Sequence, residues 1–140
     1  MITPIETPNI HKDRFLFSLE RCAESKEFMP AFYDNFISSS EEVRDKFRNT
    51  DFNRQNQMLL NSVRLACEAV IGNAEGLKEL RERGETHSRL HLNIKPELYD
   101  LWLSSLINTA RTFDKHWDVE VEISWNLVLG QVIRYMLRYY

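Results

Sequence analysis

Apolar side chains recur along this chain at steps of three and four, the spacing of one face of an α-helix, and the pattern resumes after short breaks from about residue 10 to residue 140. Phe15, Leu19 and Cys22 make the first stripe, over roughly 10–24, and Ser25 punctuates it. Residues 1–8 hold two prolines and no apolar period, so they read as an irregular lead-in. A second segment, 28–38, carries Phe28, Phe32, Tyr33 and Phe36. Pro30 is tolerable there because it lies near the helix start, where its missing N–H is not needed. Ser39 followed three residues later by Glu42 is a capping-box pattern and predicts a short helix up to Phe47. A long helix from about 51 to 71 places Phe52, Leu59, Val63, Ala66 and Val70 on one stripe, and it should be the most buried helix of the middle of the chain.

Asn73 can cap the next helix, on which Leu77, Leu80, Gly84 and His87 share a face. Pro96, favoured at a first helical position, opens another that runs to about 113 through Tyr99, Trp102, Leu106 and Ala110. Asp118 caps the last, with Glu120 and Glu122 in an acidic first turn that suits the helix dipole. From Val121 to Tyr140 this helix is apolar over more than one face, which implies burial against more than its own core. With only four glycines and four prolines, a turn-rich β fold and a Gly-rich phosphate loop are both disfavoured. The expected class is all-α, with six to seven helices.

The 140 residues suit one domain spanning 1–140, with no room for a second folded unit. Any reductase or output module would be a separate chain. Formal charge is −3 and the basic residues are scattered among acids, so no nucleic-acid footprint is evident. No segment approaches the roughly 20 apolar residues of a membrane span. Cys22 and Cys67 lack CxxC spacing, and no secretory leader is recognisable at the N-terminus. Free thiols and a cytoplasmic location are therefore expected.

His87 is the residue most in need of a reason, because it lies on the apolar stripe of its helix. The ordinary reading is a core or boundary histidine satisfied by a hydrogen bond. With His91 it also forms HxxxH, yet zinc normally takes three or four protein ligands and no third is evident nearby. Gln55, three after Phe52 and four before Leu59, puts an amide on the buried stripe of the long helix. It is either a helix-start residue reaching solvent or a polar group aimed at a ligand. Tyr33 carries a hydroxyl beside an apolar cluster, and the plainer reading is a core tyrosine whose hydroxyl reaches the surface. Phe47 by itself is a core aromatic.

Their order carries more than any of them alone. Phe32-Tyr33 on an early helix, Phe47 after a short one, Gln55 opening a long one, His87 closing the next and Pro96…Tyr99 opening another resembles the bacterial globins. The resemblance runs from about residue 12 to 140 and is strongest in FYDNF, DFNRQ and THSRLHLNIKPELYDLW. It implies a globin fold with helices A, B, C, E, F, G and H and no D helix, holding haem b (iron protoporphyrin IX) between E and F. It also implies that His87 is the proximal iron ligand through Nε2, that Phe47 wedges against the porphyrin, and that Leu59, Val63, Tyr99 and Trp102 line the cofactor. Tyr33 and Gln55 match the pair that many bacterial globins direct at a bound diatomic gas (O2, NO or CO). Against the flavohaemoglobin pattern, two extra residues separate His87 from Pro96, and the H-helix glutamate has no match in the stretch ending Arg138-Tyr139-Tyr140. An electron-pushing proximal site is therefore not implied.

Three functions follow as expectations from the resemblance. The first is a gas-sensing or gas-binding globin acting through a signalling partner or through a homodimer paired on its G and H helices. Alternatively Tyr139 and Tyr140 finish packing against the chain's own first helix. The second is a nitric oxide dioxygenase served by an external reductase. The third, a haem-free globin-like regulatory module, is opposed by the joint presence of His87 and Phe47.

Overall fold

The computed structural model describes residues 6–70 and 72–140, the side chains of 6–9 excepted. Among these residues the chain forms seven α-helices and no strand: α1 Glu6–Ala23, α2 Phe28–Ser38, α3 Glu41–Lys46, α4 Phe52–Val70, α5 Ala74–Thr86, α6 Pro96–Phe113 and α7 Val119–Leu137. No described helix is long and apolar enough to cross a membrane. The sequence places α4 directly after the turn that follows α3, with no further helix between them.

Local chemistry sets most of the boundaries. The Asn73 side chain accepts from the N–H groups of Glu75 and Gly76, and the Asp118 side chain accepts from Val121 N–H, each satisfying donors that a helix start leaves orphaned. Pro96 occupies the first turn of α6 as expected. Elsewhere the structure corrects the sequence reading. α1 already begins at Glu6, inside the segment expected to be irregular, because Pro8 falls in a first turn that needs no N–H from it. Residues 1–5 lie outside the described part. The cap of α3 is Ser40, which accepts from Val43 N–H, whereas the Ser39 hydroxyl turns back to Phe36 O and Glu42 pairs with Lys95 at 3.2 Å.

α1 packs along α7, α2 along α6, and α5 against both α4 and α7. The largest buried side chain, Trp125 of α7, meets Phe15 of α1 edge to face at 4.6 Å, and its Nε1–H donates to Ser18 Oγ. Ser18 and Arg21 in turn donate to the buried Asp114 carboxylate at the end of α6. This ties α1 to the corner between α6 and α7. Gly76 sits where α5 crosses α4, and a Cβ there would lie 2.6 Å from Ala69 N. The two helices can approach this closely only over a glycine.

Two further expectations fail. α4 does not stand out as the most buried helix of the middle of the chain: it buries Val63, Ala66 and Cys67, no more residues than the shorter α5 with Gly76, Leu80 and Gly84, because much of its inward stripe faces a cavity rather than packed side chains. α7 ends at Leu137, and the partners of the two tyrosines beyond it lie on α5 and the loop after it rather than on α1. Tyr139 lies against Gly84 of α5, and the Tyr140 hydroxyl donates to Asn93 Oδ1 at 2.8 Å in the loop after α5.

Candidate functional site

A cavity of about 320 Å³ lies between α4, α5, α6 and α7, with α2 and the α3–α4 turn closing one end. Tyr33, Phe47, Gln55, Leu59, Val63, His87, Tyr99 and Trp102, scattered over seventy residues of sequence, all line this one cavity. The volume and mostly apolar wall are those of a small-molecule or cofactor site.

The α2 end is rigid because it is aromatic. The Tyr33 ring packs edge-on against Phe32 at 4.9 Å, Phe52 at 5.3 Å and Phe47 at 5.5 Å, and Phe47 stacks on Phe52 at 6.2 Å. These contacts lock the direction of the Tyr33 hydroxyl. Burial pushes its pKa up to about 12, partly offset by hydrogen bonding with the Gln55 side chain, so the hydroxyl keeps its proton and can donate. Phe47 holds its place as the C-cap of α3, and Gln55 projects from the first turn of α4.

His87 is the C-cap of α5. Its backbone N–H donates to Arg83 O and its carbonyl accepts from Ile94 N–H at 2.9 Å, so the main chain that carries the ring is held on both sides. Desolvation, reinforced by the Arg83 charge, lowers the imidazole pKa to about 4, and the ring is neutral at ordinary pH. Nδ1 pairs with the Tyr99 hydroxyl at 3.3 Å. With Nδ1–H donating, Nε2 keeps its lone pair for a ligand. Burial raises the Tyr99 pKa to about 12, so that phenol also stays neutral. His91 is exposed in the turn beyond α5, so HxxxH does not present two nitrogens from one helix. The described residues contain no group of three or more potential metal-ligating His, Cys, Asp or Glu side chains.

Three charged residues of the wall were not singled out in the sequence. Arg83 lies one turn before His87 and pairs with Glu79, yet its Nε is buried with no partner. Lys46 reaches the same cavity and donates to Leu92 O at 2.8 Å. The signal for Arg83 was its place four residues before His87, on the same face. Cys22 and Cys67 are free and buried in the core, each with its thiol pKa pushed up to about 12 by desolvation, and take no part in the site.

No family model matches the chain, and no curated protein matches it significantly. A crystal structure from Pseudomonas aeruginosa, of a protein described as structurally highly homologous to a human haemoglobin, superposes with a TM-score of 0.88 at 35% identity, covering 93% of this chain and 98% of that one. The chain is a globin. The seven helices of this globin are accordingly A, B, C, E, F, G and H in order, so the cavity lies against E and F and His87 closes F.

Proposed function

We propose that this globin binds haem b through His87 and reversibly binds diatomic gases, O2, NO and CO, beside Tyr33 and Gln55, as a single-domain protein of the bacterial type. The observation that carries this reading is the buried imidazole of His87, which lines an apolar cavity with Nδ1 already engaged by Tyr99 and which desolvation keeps neutral. The other residues fit the group as well. A porphyrin needs flat apolar walls, which Phe47, Leu59, Val63 and Trp102 offer, and partners for the carboxylates at its edge. The partnerless Arg83 Nε–H and the two remaining N–H groups of Lys46 are such donors on the same cavity.

Once bound, haem supplies an iron with an open position for the gas. His87 Nε2 would hold that iron, and Tyr99 would orient the ring from its far nitrogen. Tyr33 and Gln55 would donate to a gas that gains negative charge on binding, each worth about 0.5–1.5 kcal/mol net. O2 would gain from such donors and CO much less, which would make release of O2 slow. Slow release suits sensing or holding oxygen better than carrying it. Two buried free thiols support a reducing, cytoplasmic setting. Val119, Ile123 and Leu127, exposed at steps of four on α7, support pairing of two copies through the last helices, which sedimentation at several concentrations checks.

Absorption spectra of the ferric, ferrous and CO forms, taken with wild type and His87→Ala, test the central reading. The wild type should show the Soret band of a histidine-ligated haem, and the variant should lose most haem on dilution. Retention of haem with an unchanged ferrous spectrum would remove His87 from the role.

A further inference from the structure

We propose, building on the haem reading above, that His87 is held as a weak, uncharged iron ligand, so that NO, unlike O2 or CO, displaces its Nε2 from the iron and is singled out among the three gases. What the far ring nitrogen touches decides how strongly a histidine binds a metal. A carboxylate or a main-chain carbonyl accepting from Nδ1–H makes Nε2 a better donor. Nδ1 of His87 has neither: its hydrogen-bond partner among the described residues is the Tyr99 hydroxyl. A phenol oxygen is a poorer acceptor than a carboxylate because it carries no charge. Burial keeps Tyr99 in that neutral form, with its pKa pushed up to about 12. The contact is 3.3 Å, longer than the roughly 2.9 Å of an ordinary N–H···O bond.

The charges around the ring act in the same direction. Lys46, Glu79 and Arg83 are the charged residues of the cavity wall. Glu79, the one carboxylate among them, sits two turns of α5 before His87. Arg83 lies between the two, one turn from His87 on the same face, and pairs with Glu79 through Nη2. Desolvation first and the Arg83 charge second hold the imidazole neutral, and Glu79 does not offset them. A cation at that distance draws electron density from the ring and works against its donation to iron. Glu85, the carboxylate nearest to His87 in sequence, is turned to Arg81, and Lys46 donates to Leu92 O. Nε2 thus keeps its lone pair with nothing behind it to strengthen the bond.

The three gases make different demands on that bond. The odd electron of NO enters an iron orbital directed along the axis to the opposite ligand and loosens it, whereas CO brings paired electrons and O2 draws density off the iron. A strongly donating histidine survives the pull of NO, and a weak one does not. The bond from iron to the NO nitrogen forms and the bond from iron to Nε2 breaks. The shared pair returns to Nε2 as its lone pair, Nδ1 keeps its proton for Tyr99, and no electron or proton is exchanged with the surroundings. His87 needs no acid to leave, because the ring is already neutral at ordinary pH. Its main chain stays bonded to Arg83 O and Ile94 N–H, so the released ring remains beside the cavity and can return when NO departs.

The test takes spectra of the haem-loaded ferrous protein with NO, with CO and without gas. Electron paramagnetic resonance of the wild-type NO form should show splitting by the NO nitrogen alone, while the absorption spectrum of the CO form stays that of a histidine-ligated haem. Arg83→Gln should raise the iron–histidine stretch in the resonance Raman spectrum of the gas-free form and bring splitting by a second nitrogen, that of His87, into a large share of the NO form. Arg83→Lys, which keeps the charge, should behave as wild type. Tyr99→Phe leaves Nδ1–H without its acceptor and should lower the stretch while the single-nitrogen splitting persists. A merely structural role would move Arg83→Gln and Tyr99→Phe in one direction, and that result overturns the proposal. Splitting by two nitrogens in the wild type, or loss of His87 with CO as well, also overturns it and leaves the haem reading standing. Protein that takes up no haem, or whose gas-free ferrous form lacks an iron–histidine stretch, sinks the haem reading and the discrimination of NO with it.

Discussion

The corner where α1 meets α6 and α7 and the wall where α4 meets α5 are both polar at depth, and they settle their polar groups in opposite ways. At the corner, Asp114 accepts from Arg21 at 2.6 and 2.9 Å, from Ser18 and from His116 N–H, while Ser18 also accepts from Trp125. No buried side-chain polar atom of this corner lacks a partner among the described residues. Along the wall, Asn56 Oδ1 on α4 and Arg83 Nε on α5 are the buried side-chain polar atoms without a partner among the described residues, and Arg83 faces the cavity. Buried polar atoms nearly always find partners, so a closed network indicates architecture and an open one beside a cavity indicates a binding wall. The two regions should therefore separate under mutation, the corner governing stability and the wall governing what is bound.

The largest effect is expected at the corner. Asp114→Ala leaves Arg21, Ser18 and His116 N–H without their acceptor and should cost about 3 kcal/mol, at the lower end for a broken buried pair because Arg21 retains some access to water. For a chain of this length the melting temperature should fall by on the order of 10 °C. Gas-binding kinetics of the loaded variant should not move, and a large change in them would break the division. Burial opposes ionisation of Asp114, but the hydrogen bonds from Arg21, Ser18 and His116 outweigh it and hold the carboxyl below its ordinary range. A depressed carboxyl stabilises the fold above its unfolded pKa, and that stability is lost as pH falls through the folded value. Denaturant unfolding at pH 7 and near pH 3 should show Asp114→Asn weaker at neutral pH and less sensitive to acid than wild type.

The same contrast explains what could be read from the residues alone. Stripes such as Phe15, Leu19 and Cys22, and caps such as Asn73 and Asp118, are local features and were legible. So was the bringing together of His87, Tyr99, Gln55 and Tyr33, because their order along the chain is distinctive. Choices settled by distant partners were not. Three consecutive serines at 38–40 offer similar caps, and Ser40 takes the place because Ser39 bonds back to Phe36 while Glu42 is drawn to Lys95. Arg83 reads as a solvated charge until α4 and the cavity are in place around it. α4 was overrated as core because periodicity marks an inward face without saying whether side chains or a cavity meet it.

A smaller effect is expected at the wall, and of mixed kind. Gly76→Ala puts a methyl against backbone atoms, Ala69 N and Leu65 O, which cannot swing aside. Overpacking of this sort costs up to about 3 kcal/mol, and better helix propensity returns roughly 1 kcal/mol, leaving a loss of about 2 kcal/mol. Because α4 and α5 are both walls of the cavity, this variant should lose stability and haem retention together, unlike Asp114→Ala. Thermal melts of the apoprotein beside a haem titration measure both. Unimpaired haem retention would show that helix spacing at Gly76 does not set the shape of the cavity.

The smallest change gives the sharpest separation. Tyr33→Phe removes one oxygen and leaves the ring contacts with Phe32, Phe47 and Phe52 in place, so apoprotein stability should shift by less than about 1 kcal/mol. Losing a donor worth about 1 kcal/mol should speed O2 dissociation by about fivefold. CO dissociation should barely respond, since CO accepts hydrogen bonds weakly. Flash photolysis and stopped-flow release of the two gases from the same samples make the comparison. Equal acceleration of both would mean that the hydroxyl acts by shaping the cavity, and Gln55 would then remain as the donor to test with Gln55→Leu.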